Sequence, residues 1–162
     1  MANNYVQFSF DFIVPESQRG WVREVEQLIE AHTGEELEKG HPLCEALPYW
    51  NEYQEAGFNL DINLEDGVCW IHTDESGDTE SVVNFLQGLL SRVANDCQQK
   101  FGFVKPDKIE LSEVGFTYSM SCSSPRVGEF GGGAIRVFLD GGTPETDYVD
   151  ANEWLAKALS YS

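Results

Sequence analysis

Val6, Phe8, Phe10, Phe12 and Val14 alternate with Gln7, Ser9, Asp11 and Ile13, and this period of two predicts a strand with one buried face. Pro15 stops it. Trp21, Val25, Leu28 and Ile29 then recur at helical spacing, which predicts a helix over residues 16–32 with Gly34 placed to end it. Residues 34–56 hold two prolines, scattered aromatics and many acids without a sustained period, so they form an irregular connection with a short helix within 48–55. Tyr49, Trp50 and Tyr53 there need a surface to pack against. Phe58, Leu60, Ile62 and Leu64 alternate with Asn59, Asp61 and Asn63, and Glu65-Asp66-Gly67 supplies the turn into a second strand at 68–73. These predict a β-hairpin with one acidic face.

Val82, Val83, Leu86, Leu89, Leu90, Val93, Ala94 and Cys97 form a broad helical stripe, with Asp78 or Thr79 as cap and an end near Phe101-Gly102. An extended segment follows over about 108–122, then a glycine-rich loop and a strand at 134–139. Thr143-Pro144-Glu145 has the form of an N-cap with proline at the first helical position, and Tyr148, Trp154, Leu155, Ala158 and Leu159 complete a terminal helix. The expected order is β-α-β-β-α-β-β-α. Helices separated by hairpins favour an α+β fold, a mostly antiparallel sheet with helices on one face. The length of 162 residues suits a single domain over 1–162.

Charge changes the picture more than composition does. Hydrophobic residues make up 41% of the chain, enough for a packed core, so the net charge of -18 must ride on a folded surface. Ten carboxylates fall between Glu45 and Glu80, while no lysine or arginine occurs between Lys39 and Arg92. Such a surface attracts cations and basic partners and repels phosphate and anionic membrane within roughly 8 Å, the Debye length at physiological salt. Direct nucleic-acid binding is disfavoured, because no basic stripe with interleaved aromatics is present. Depletion of bases is also a mark of salt-adapted proteins. The N-terminus lacks a basic start and an apolar run, and no segment approaches ~20 apolar residues, so a cytoplasmic location is expected. Cys44, Cys69, Cys97 and Cys122 are expected as thiols.

The most distinctive string runs from Cys122 to Ala134, with Gly131, Gly132 and Gly133 consecutive and Arg126 and Glu129 just before them. One interpretation is a binding loop in which Arg126 holds an anionic group of a ligand. The other is a long hairpin loop whose Arg126 and Glu129 pair with each other or with the backbone. A phosphate cradle fits poorly, because the glycines lead into a strand rather than a helix. Cys122, Ser123, Pro125, Arg126, Gly128, Phe130, the three glycines and Ala134 together resemble a C-S-x-P-R-x-G-x-F-G-G-G-A segment of uncharacterised proteins of bacteriophages and mobile elements. The resemblance spans little more than this segment. It implies a phage or plasmid setting and supplies no activity.

Other constellations are weaker. His41 and Cys44 with Cys69 and His72 have the composition of a zinc site, but strand alternation sends Cys69 and His72 to opposite faces. The strings from Asp61 and from Asp74 look like calcium loops, yet Asp66 and Thr79 stand at the glycine position, and His72 and Phe85 where a bidentate glutamate belongs. Neither Cys122 nor Ser123 comes with the signature of a catalytic nucleophile. No metal, cofactor or catalytic residue is therefore assigned.

The sequence leads to an acidic interaction protein, with Asp61, Glu65, Asp66, Asp74, Glu75, Asp78 and Glu80 as the binding residues. Their carboxylates would imitate nucleic-acid phosphates and occupy a basic surface of a host nucleic-acid-binding protein, as phage inhibitors of restriction or CRISPR defence do. The alternatives are a small ligand-binding module or enzyme using the loop at 126–133, a homo-oligomer that buries the strand at 134–139 as an exposed edge, and an acidic face that only confers solubility.

Overall fold

A computed structural model describes residues 4–123 and 130–160. It is an α+β fold of two antiparallel sheets with helices packed against them. The first strand is divided: β1 (Asn4–Gln7) joins a four-stranded sheet with β5 (Glu113–Cys122), β6 (Gly131–Asp140) and β7 (Thr143–Asp150) in the order β1-β5-β6-β7, while β2 (Ser9–Ile13) joins a three-stranded sheet with β3 (Asn59–Ile62) and β4 (Val68–His72) in the order β2-β4-β3. The division falls at Phe8, whose N–H meets the Thr73 hydroxyl (3.3 Å) and whose carbonyl accepts from the Thr73 N–H (3.0 Å). Phe10 stacks on Phe116 of β5 (Glu113–Cys122) at 4.5 Å between centroids, so the aromatic alternation ties the two sheets together.

Helix α1 (Glu16–His32) packs beside β3 (Asn59–Ile62), and α4 (Thr79–Phe101) lies across β6 (Gly131–Asp140) and β7 (Thr143–Asp150). The apolar stripe of α4 places Phe85, Leu86, Leu89 and Leu90 in the core with Val22, Ile71 and Val137. Trp21 of α1 stacks on Phe85 at 5.6 Å and carries the Arg92 guanidinium at 4.7 Å. Gly102, at a φ of 78°, closes α4 by donating to the Gln98 carbonyl (2.7 Å). The connection after α1 contains two short helices, α2 (Pro42–Ala46) and α3 (Trp50–Tyr53). Of its aromatics only Trp50 is buried, with Nε1 donating to the Glu35 carbonyl at 2.9 Å, while Tyr49 and Tyr53 stay exposed.

The C-terminal part differs from expectation. Residues 143–150 are not the start of a helix but strand β7, paired with β6 through a turn at Gly141 and Gly142. Both glycines have positive φ, 59° and 89°, the geometry a two-residue hairpin requires, and this outweighs the helix-start pattern of Thr143-Pro144. The true cap is Asp150, whose carboxylate accepts from the N–H groups of Asn152 and Glu153 and starts α5 (Ala151–Ser160). Consequently β6 is no edge, since β5 and β7 flank it on both sides.

Candidate functional site

The acidic stretch is held by β3 and β4 (Val68–His72), a hairpin whose strands of four and five residues separate its two ends by about 15 Å. At the turn, the Asn63 carboxamide oxygen accepts from the N–H of Glu65 (2.9 Å), and the Asp66 carboxylate accepts from the N–H of Val68 (2.9 Å). Arg19 of α1 braces this end, donating to the carbonyls of Val14 (2.9 Å) and Glu65 (3.1 Å). The Arg19 guanidinium thus lies against the backbone of the turn, while the Glu65 and Asp66 carboxylates form no ion pair with it among the described residues.

The opposite end is built differently. After Thr73 the chain leaves the sheet and follows β1: Ser76 accepts from the Val6 N–H (3.0 Å), Gly77 donates to the Val6 carbonyl (2.8 Å), and Gln7 donates to the Glu75 carbonyl (3.1 Å). A Cβ on Gly77 would lie 2.6 Å from the Gly57 carbonyl oxygen and 3.0 Å from the Phe8 ring, so the loop sits directly on backbone and core. Asp78 then caps α4, accepting from the Glu80 N–H (3.1 Å) and the Ser81 hydroxyl (2.9 Å). Asp74, Glu75 and Glu80 are exposed, and none enters an ion pair among the described residues. Tyr53 and Glu55 share a crevice with Ser76 and Asp78. The charge of Glu52 first, then burial and Asp78, hold the Tyr53 phenol above its ordinary value.

This acidic end extends into elements that the sequence pattern did not connect with it. The Tyr148 phenol of β7 is raised by desolvation and, after it, by the carboxylate of Glu80. On the same inner face of the sheet, Tyr118 is raised by desolvation and by Asp150, to which it donates, with Glu153 adding to the effect. Asp150 and Glu153 are thus site residues that the mistaken helix start concealed. The Gly141-Gly142 turn was the available signal for them. The lysines Lys100, Lys105 and Lys108 lie at and beyond the far end of α4, a helix of 23 residues and so about 34 Å long.

Asp61 belongs to neither end. It lies on the outer face of the three-stranded sheet, where its carboxylate meets His72 Nε2 at 2.9 Å. Trp70, half-exposed and stacked on His72 at 3.6 Å, stands in register between Asp61 and Asp11. The expected binding set therefore separates into an arginine-braced turn (Glu65, Asp66), a sheet-face residue (Asp61), a helix cap (Asp78) and an open acidic loop (Asp74, Glu75, Glu80).

The glycines expected in a binding loop are the first three residues of β6. A Cβ on Gly132 would meet the Tyr118 backbone and one on Gly133 would meet the Val149 carbonyl and the Tyr118 hydroxyl, so close strand packing accounts for both. Gly131 faces the Asn152 carboxamide, which donates to the Phe130 carbonyl at 3.3 Å. Arg126 and Glu129 lie outside the described residues. His41 caps α2 by accepting from the Leu43 N–H (3.1 Å), and Cys69 is buried on the face of β4 opposite His72. Burial first, then Glu26 and Asp61, push the Cys69 thiol up to about 12. Among the described residues no group of three or more His, Cys, Asp or Glu side chains is placed to hold a metal ion, and no helix is long and apolar enough to cross a membrane. Comparison of the chain with protein-family models, with curated proteins and with solved structures finds no match.

Proposed function

We propose that this protein is an acidic interaction protein that occupies a basic, nucleic-acid-binding surface of another protein. The observation that carries the proposal is the exposed set Asp74, Glu75 and Glu80, on a loop hydrogen-bonded to β1 and on the helix start that follows, without an ion pair among the described residues. A carboxylate already paired has little field left to offer; an unpaired one on an ordered backbone acts on a partner without first losing conformational freedom. Glu52 and Glu55 enlarge the same end, and Glu80 acts on Tyr148 of β7, the strand that ends at Asp150. A duplex presents one charge per about 1.7 Å of axis, and carboxylates drawn from several backbones imitate part of such a field.

The resemblance of the segment at 122–134 to proteins of bacteriophages and mobile elements favours a host nucleic-acid-processing or defence protein as the partner, met in the host cytoplasm. The test is capture from a host lysate at low and at physiological salt, with Asp74, Glu75 and Glu80 together reversed to lysine as control. Asp78 is left in place because its loss would uncap α4. The proposal expects nucleic-acid-binding proteins to be captured at physiological salt, released by added duplex DNA and missed by the variant. Equal capture by the variant would refute it.

A further inference from the structure

We infer that α5 supplies the apolar anchor of this acidic surface, with Trp154 and Leu155 seating in an apolar groove rimmed by basic side chains on the partner protein, an inference that rests on the function proposed above. Ala151, Trp154, Leu155, Ala158 and Leu159 fall within an arc of about 140° on the helix, an apolar stripe of the width that normally faces a core. Here it faces solvent: Trp154 is 63% exposed and Leu155 50%, and within 151–159 only Ala158 is partly buried. Glu153 and Lys157 occupy the opposite side of the helix. A tryptophan and a leucine held out on an ordered helix are the side chains that dominate protein interfaces once a groove excludes water around them.

Charge selects the occupant. Strand β7 and helix α5 carry Glu145 and Asp150 on the approach to the stripe and Glu153 on the far side of the helix, none of them in an ion pair among the described residues, with Asp147 paired to Arg136 at 3.4 Å and one lysine, Lys157, on the helix; Glu80 is near enough to raise the Tyr148 phenol of the same strand. A second copy would bring another chain of net charge -18 against this rim, setting like charges across the contact. An anionic membrane meets the same repulsion. A protein groove with apolar walls and lysine or arginine around it satisfies the stripe and the rim together.

Two short synthetic peptides of equal positive charge test this, one an amphipathic helix of leucine and lysine, the other with every leucine replaced by serine. At physiological salt the wild-type protein should bind the leucine peptide at least about tenfold more tightly than the serine peptide. The variant Trp154→Ser/Leu155→Ser should lose that preference while keeping its affinity for the serine peptide and, the replaced groups being exposed, its thermal melt. Equal binding of both peptides by the wild type, or a preference that survives in the variant, overturns the inference while leaving the acidic surface standing. Failure to bind either peptide removes both. Sedimentation equilibrium gives an independent outcome: a wild-type dimer that the double variant dissociates assigns the stripe to a second copy and overturns the inference as well.

Discussion

The two ends of the β3–β4 hairpin present different surfaces, with two carboxylates at the turn, Glu65 and Asp66, and four at the opposite end, Asp74, Glu75, Asp78 and Glu80. At the turn, Arg19 donates to the Glu65 carbonyl, so a positive charge lies against the backbone that carries Glu65 and Asp66. At the other end, the loop carrying Asp74 and Glu75 is held by neutral groups, the Ser76 hydroxyl, the Gly77 amide and the Gln7 carboxamide. The number of acids is only part of what sets a field. The other part is whether the scaffold that fixes the acids uses charged or neutral groups, because a cation used as a brace also neutralises.

The largest effect should come from removing the neutral scaffold. Gly77→Val drives a side chain into the Gly57 carbonyl and the Phe8 ring, neither of which can yield cheaply, and should destabilise the fold by more than about 3 kcal/mol in urea denaturation. Gly67→Ala at the turn, with a φ of 78° and the Arg19 guanidinium in the way, combines backbone strain with displacement of the Arg19 hydrogen bonds and should cost about 2 kcal/mol. Equal costs would mean that the loop is no better fixed than the turn.

Next in size is the charge itself. Reversing Asp74, Glu75 and Glu80 to lysine should weaken binding of the serine-lysine peptide by about tenfold to a hundredfold, whereas reversing Glu65 and Asp66 should change it by less than about threefold. Similar losses at the two ends would dissolve the comparison. Arg19→Ala sharpens it from the other side. Loss of its hydrogen bonds to Val14 and Glu65 should cost about 1–2 kcal/mol of stability, yet the unbraced turn should bind the same peptide about twofold more tightly.

How far this was legible in the sequence depended on the range of the interaction. The hairpin, α1 and α4 were readable because alternation and the helical stripe are local patterns that the core reinforces. The split of the first strand at Phe8 was not, since residues on either side carry the same alternation and the change of sheet is made by Thr73, 65 positions away. Strand β7 was readable in principle from Gly141-Gly142, but Thr143-Pro144 imitates a helix start and Asp150, the real cap, lies seven residues later. The acids of the site were visible as a base-free stretch. Their division into braced and open ends was not, because Arg19 comes from another element and Tyr148, Asp150 and Glu153 arrive through the fold.

The smallest effect is the most direct report of the field. The phenols of Tyr53 and Tyr148 are both raised, Tyr53 chiefly by the charge of Glu52 and Tyr148 chiefly by desolvation, with Glu80 second. A raised phenol is held protonated more firmly in the folded state than in the unfolded chain. Its contribution to stability is thus complete below the ordinary phenol range, about pH 10, and is lost as pH rises through the folded value. Added salt screens charge but leaves burial untouched, so in an absorbance titration it should lower the Tyr53 value further than that of Tyr148. Glu52→Gln should act on Tyr53 as salt does, and Glu80→Gln should move Tyr148 by less. If salt moved Tyr148 and left Tyr53 in place, the uncompensated charge would lie around α4 and β7 rather than around α3 and the acidic loop, and the surface offered to a basic partner would have to be drawn there.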